Sequence, residues 1–436
     1  MERVFISIIL FVCAALPAAA LMDDPDSGDP VPARLQIPKE ISAVRKEDGT
    51  PPFLRWMLKP MDRGMFVRLP IIDTDPNRGV TYGVMPIVVL QGKHDERIEQ
   101  IHAPSLTYNR VFGLSPTYRY YYYPADDATF MARLSRAKFE HEVMLQYEDH
   151  SVAGTDYDVF ARVQQAADSG QHFFGLGPDS AQSAETNYKQ EYWGYKAAAG
   201  VPLWFAPRFR FHLAQRYQSS RLTNGPTPNL KEFEASFPRQ SADLAQQTNE
   251  SRFSLDYDTR DHGVTTTKGV YANVFYEKAI RGFLSQYEYN REGLDGRWYH
   301  PWAGHEDRVF AVQGYYEQVL GTAPPFWLLP SLGGKYSLRA YGDGRYVDRG
   351  VAAVNVEERF KVFEARTAGV TTELQVAPFL GVGEVFDSPS RAAARYARPV
   401  VGAAFRAVAK PQVVGSVDVG IGREGVAVFT DINYSF

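Results

Sequence analysis

The sequence predicts an all-β chain, a transmembrane antiparallel β-barrel of about 16 strands with a short N-terminal extension. Three observations lead there. The first residues have the form of an export signal, the body of the chain alternates apolar and polar residues, and aromatic residues reach 14%. A mean hydropathy of −0.32 leaves no bundle of transmembrane helices. It allows a membrane barrel, because only alternate residues of each strand meet lipid. A large soluble β protein is the rival class. Charge narrows the function: 47 Lys+Arg against 51 Asp+Glu gives −4, so no strongly basic face for nucleic acid is expected. With one cysteine, a disulfide framework and a thiolate zinc cluster are both excluded.

Met1-Glu2-Arg3 is positively charged, Val4 to Leu16 is almost unbroken apolar sequence, and Pro17-Ala18-Ala19-Ala20 follows. That order is the n-region, h-region and cleavage site of a secretory signal, cut after Ala20. Residues 1–20 are therefore read as a signal peptide, which removes Cys13. Residues 21–78 are proline-rich and hold no lasting periodicity. They are read as a periplasmic or lumenal leader, and a plain linker fits equally well.

From Gly79 the period becomes two, the mark of strands with unlike faces. Phe209, Phe211, Leu213 and Tyr217 alternate with Arg208, Arg210, His212, Arg216 and Gln218. Val354, Val356, Phe360 and Val362 oppose Asn355, Glu357, Arg359 and Lys361, and Val413, Val417, Val419 and Ile421 oppose Ser416 and Asp418. A soluble sandwich alternates too. Several charges on each polar face and runs of ten residues or so favour a wet lumen and a bilayer crossing. Tyr118 to Tyr123, Trp193, Trp298 and Trp302 cluster near strand ends, as interfacial girdles do. Residues 79–436 suffice for about 16 strands at some 22 residues per strand and loop, and 14 or 18 are also admitted. The chain ends in a row of Ile432, Tyr434 and Phe436, which resembles the closing strand that outer-membrane proteins offer to their assembly machinery.

Between strands, over 321–350, lies a long segment containing Leu332-Gly333-Gly334-Lys335-Tyr336-Ser337-Leu338-Arg339-Ala340-Tyr341. This resembles the inward-folding sixth loop of the BamA/TamA-like assembly and translocation barrels (the bacterial surface antigen family) and their two-partner-secretion relatives. Leu338, Arg339, Ala340 and Tyr341 stand where that superfamily has V-R-G-F/Y. Asn355-Val356-Glu357-Glu358-Arg359-Phe360 resembles the next strand, Phe173 to Ser180 a Phe–Gly segment, and Tyr257-Asp258-Thr259-Arg260-Asp261 a strand-end turn. The later F-x-D-x-G appears as Phe379-Leu380-Gly381-Val382-Gly383, with glycine in place of the aspartate. The resemblance implies that Arg339 reaches the lumen wall and that Glu357 neutralises it largely alone. The segment before the barrel is too short for a POTRA domain, the periplasmic module that receives substrates in this family.

No zinc-protease, nucleophile-elbow or phosphate-loop pattern occurs; Lys335 is followed by Tyr336, where a phosphate loop needs Ser or Thr. No catalytic residue, metal or cofactor is expected. The reading is an outer-membrane barrel that inserts or translocates a polypeptide or lipid and is not an enzyme. Alternatives are a passive or selective channel and a barrel enzyme. Expected partners are outer-membrane lipid, the assembly machinery during biogenesis and a separate periplasmic protein.

Overall fold

The structure, a computed structural model, describes residues 56 and 58–436, apart from 93–97, 126, 241, 264, 303–306, 368–369, 410–412 and 433. The signal peptide, Cys13 and most of the 21–78 leader lie outside the described residues. The chain opens with β1 (Leu58–Met61), β2 (Gly64–Asp75), β3 (Gly79–Gln91), β4 (Ile98–Asn109), β5 (Gly113–Ala125), β6 (Ala128–Arg136) and β7 (His141–Asp149). Longer strands follow: β8 (Asp158–Phe173), β9 (Thr186–Leu203), β10 (Ala206–Asn224), the two-residue β11 (Lys231–Glu232), β12 (Ala242–Asp258), β13 (Gly269–Ala279), β14 (Tyr289–Pro301) and β15 (Arg308–Gly321). A segment containing β16 (Ser331–Leu332) and β17 (Tyr346–Val347) then leads to β18 (Gly350–Thr367), β19 (Val370–Phe386), β20 (Arg398–Ala409), β21 (Val413–Gly422) and β22 (Gly425–Ile432).

All but β16 and β17 share one twenty-stranded sheet, antiparallel except where β11 lies beside β9. Eighteen of its strands, among the described residues, have eight residues or more, at the upper end of the count the sequence admits. Each long strand pairs with the next along the chain, as successive hairpins require. The last strand meets the first differently. Thr74 Oγ1 donates to the Val428 carbonyl at 3.1 Å and Thr430 Oγ1 to Asp73 Oδ1 at 3.2 Å, and among the described residues no backbone register joins β2 to β22.

Alternation gives each strand a lipid face and an inner face. Phe209, Phe211 and Leu213 are exposed while His212 points inward and pairs with Asp256 at 2.9 Å. Val354 is exposed between buried Ala353 and Asn355. Buried residues therefore gather inside the barrel, under the segment 322–349.

Three expectations need correction. The sheet begins inside the stretch assigned to the leader: β2 pairs with β3 from Gly64 to Asp75, its alternation disguised by Pro70. Tyr118 to Tyr123 do not all form a girdle, because alternate residues of one strand must diverge. Tyr118 is exposed, whereas Tyr121 and Tyr123 pack inward with Met131 and Met144. The closing strand stops at Ile432. Tyr434 and Phe436 leave its lipid-facing row and turn into the lumen, where both are buried.

Candidate functional site

The inward segment is positioned from both of its ends. Ser331 and Leu332 of β16 pair with Val347 and Tyr346 of β17 to make a two-rung stem. Gly333 and Gly334 then turn with φ of 126° and 87°, which side chains resist, and Gly334 N donates to the Tyr341 carbonyl at 2.9 Å. A second support comes from the β8–β9 connection: Gly177, also at positive φ, donates its amide to the Val347 carbonyl at 2.9 Å. Gly175 and Gly177 thus form a backbone turn. At the loop rim, Arg345 forms a forked pair with Glu424, at 2.8 Å from Nε and 2.6 Å from Nη2.

The tip lies flat on the wall because the wall has no side chains there. A Cβ at Gly420 would overlap the Arg339 carbonyl, and one at Gly422 would come within 2.9 Å of the Ala340 Cβ. On β19, a Cβ at Gly381 would press on Leu338, and one at Gly383 on Leu332. Two G-x-G pairs, one in each strand, make the bed on which the loop rests. Leu338 and Tyr341 are fully covered, and the Tyr341 hydroxyl accepts from Arg423 N at 3.1 Å.

Arg339 enters a cluster of charges shut away from water. Its Nη1 lies 3.0 Å from Glu357 Oε2, 3.0 Å from Asp418 Oδ2 and 3.1 Å from Ser435 Oγ. Its guanidinium stacks 3.6 Å over the Phe379 ring. Arg406 grips both oxygens of Glu357, at 3.0 and 2.9 Å, and Arg359 Nε adds a third cation at 2.6 Å. Ser416 and Ser435 donate to Asp418. Arg359 Nη2 also donates to the Phe436 carbonyl at 2.8 Å, and the Tyr434 hydroxyl to Gln375. Five ionised groups with side chains at most 4% exposed survive together because each is paired and hydrogen-bonded.

Glu357 therefore does not neutralise Arg339 alone. The carboxylate missing at Gly381 is supplied two strands further on, by Asp418. Sequence reading placed Asp418 on the polar face of its strand without linking it to Arg339. The row Asp418, Gly420, Gly422 is the signal that could have found it. Of the other residues singled out, Phe379 is the stacking floor and Gly383 clears room for Leu332, and Ile432 is the last residue of β22. Among the described residues, no group of His, Cys, Asp or Glu is placed to hold a metal ion.

A pattern characteristic of the Omp85 superfamily domain matches residues 128–417, from β6 to the middle of β21. The chain belongs to the Omp85 superfamily. Solved structures agree in fold. BamA from Haemophilus ducreyi, lacking POTRA domains 1–3, superposes with a TM-score of 0.54 at 15% identity over 84% of this chain and 74% of that one. CdiB from Escherichia coli gives 0.54 at 10% identity over 80% and 67%. No curated protein matches the sequence. Barrels of the Omp85 superfamily reside in the bacterial outer membrane, with a general role in assembly or translocation. The arginine cluster lies largely within the matched region; β1 to β5 and the inward tail lie outside it.

Proposed function

We propose that this Omp85 barrel, exported by a cleaved N-terminal signal, inserts or translocates a polypeptide or lipid at the outer membrane without covalent chemistry. The loop from 322 to 349 is the movable part and the β2–β22 seam the exit. One observation carries the reading. Arg339 ties the loop to Glu357 on β18, Asp418 on β21 and Ser435 in the tail that follows β22. Moving the loop would loosen the strand that borders the seam. Opening the seam disturbs side-chain bonds such as Thr74 to Val428, whereas parting other long neighbours breaks a backbone ladder, as between β21 and β22.

The direct test is purified protein in vesicles with an unfolded outer-membrane protein as client. Cross-linked cysteines at Thr74 and Val428 should stop client insertion, and reduction should restore it. Insertion that continues with the seam cross-linked refutes this route. A channel is the second reading, favoured by a lumenal cavity of about 720 Å³ lined by Arg78, Arg133, Arg216, Glu142, Glu250 and Glu277, among others. Steady single-channel conductance that is indifferent to the cross-link and to client would favour the channel. A periplasmic partner and the role of Phe436 as an assembly signal belong to the proposal.

A further inference from the structure

Proline has no N–H for a ladder and is normally kept out of strand interiors. Five prolines nevertheless stand inside β2 to β5: Pro70, Pro86, Pro104, Pro116 and, near the end of β5, Pro124. Between β3 and β4 the register sets Val84 opposite Leu106 and resumes at Val88 opposite His102. By that register Pro86 faces Pro104. Neither has a hydrogen to give, so the ladder is interrupted there, while the β2–β3 register on the other side of β3 is unbroken.

The wall is indented at this gap. A recess of about 610 Å³ opens on the lipid face, walled by Pro86, Pro104 and Pro116 with Leu106, Leu134 and Val143. The three aliphatic residues are exposed. Fixed proline rings hold such a slot open at little entropic cost. Above it, toward the loop rim, the β4–β5 and β6–β7 turns are joined by Lys138 N donating to the Phe112 carbonyl at 3.2 Å. These turns and the adjoining end of β6 present Arg110, Arg136 and Lys138, all exposed, and Arg136 also lines the recess. Glu142 lies at the recess too, but its carboxylate is paired with Arg133 at 2.9 Å. An apolar slot under a row of cations is complementary to a hydrocarbon chain under an anion.

We propose that this recess binds one lipid with a phosphorylated, anionic headgroup, its acyl chain in the slot and its phosphate against Arg110, Arg136 and Lys138. The site requires the barrel fold and does not depend on what the barrel transports.

Native mass spectrometry of the full chain in detergent, titrated with dioleoyl phosphatidylglycerol or dioleoyl phosphatidylcholine, tests this. One phosphatidylglycerol should be retained per barrel, about tenfold more strongly than phosphatidylcholine, as charge-assisted phosphate contacts imply. Leu106→Trp and, separately, Leu134→Trp should fill the slot and abolish that retention. Arg110→Ala with Arg136→Ala and Lys138→Ala should erase the headgroup preference alone. Leu294→Trp, on the lipid face of β14, should change nothing. Heat-shifted electrophoretic mobility establishes that each variant is folded. Equal retention of the two lipids by the unaltered protein, retention surviving both slot-filling changes, or equal loss in the Leu294 control would each overturn the proposal.

Discussion

Arg339, Arg359 and Arg406 share two carboxylates, Glu357 and Asp418. This sharing makes the partners unequal. Arg339→Ala removes the loop's anchor and leaves Glu357 with two arginines. Glu357→Gln removes the carboxylate that all three arginines share. Breaking a buried pair so that charge is stranded costs on the order of 3–5 kcal/mol. Glu357→Gln should therefore lower the midpoint of heat-shifted mobility well below that of Arg339→Ala, whose main effect should be protease access near Tyr341. Equal midpoints would count against the cluster as drawn. Exchanging the charges (Arg339→Glu with Glu357→Arg) should recover little, because Asp418 would then face a new anion; recovery to the level of the unaltered protein would exclude a shared site. Asp261, in the turn between β12 and β13, gives a pH test. Burial alone would raise its carboxyl, but the Thr267 hydroxyl and the amides of Thr267 and Lys268 outweigh that and hold it below its ordinary value. A depressed carboxyl contributes stability above its unfolded pKa and loses it as pH falls through the folded one. Protection of the Thr267 and Lys268 amides, measured against their intrinsic exchange rates, should thus fall only in acid, below about pH 4, and Asp261→Asn should flatten that dependence.

Among the elements, β19 and β21 show what the chain's pattern does and does not disclose. Period-two alternation marked β21 as a strand, since lipid and lumen demand unlike faces, and the family-like motif from Phe379 to Gly383 pointed to β19. Neither could tell that Gly381, Gly383, Gly420 and Gly422 form a bed for the loop, because a glycine carries no polarity to read. The same silence hid Asp418 as a partner, two strands from where an aspartate was sought. The tail misled for another reason. Ile432, Tyr434 and Phe436 keep perfect alternation, yet the chain leaves the strand after Ile432, and the pull of Arg359 and Asp418 on residues 435 and 436 is a tertiary effect. The bed makes a sharp prediction. Gly420→Ala puts a methyl where the Arg339 carbonyl lies and should free the loop as fully as Arg339→Ala does, by limited proteolysis near Tyr341. Gly422→Ala, whose methyl presses on the Ala340 Cβ and on the Tyr341 ring, should loosen the loop, and Ala340→Gly, which leaves the loop docked, should recover part of that loss; purely additive effects of these two changes would mean they do not meet.

For the whole molecule, closure is the property to measure. Eighteen long strands, each laddered to its neighbours except across the β2–β22 seam, should resist detergent and unfold only on heating, and circular dichroism should show strand as the dominant signal. A spectrum dominated by helix would end the barrel reading. Fold class was legible because two solvents impose one simple rule on every strand; the seam was not, because weakness between first and last strands leaves no local pattern. The arginine cluster adds a constraint of time. Its members, from residue 339 to residue 435, are separated from Arg339 by as many as 96 positions. Hairpins early in the chain can form as soon as their two strands exist, whereas distant contacts wait on chain closure. The loop cannot find Asp418 and Ser435 until the final strands have been delivered and set. Its docking is thus a late event in the barrel's own biogenesis, a signal that the wall is complete.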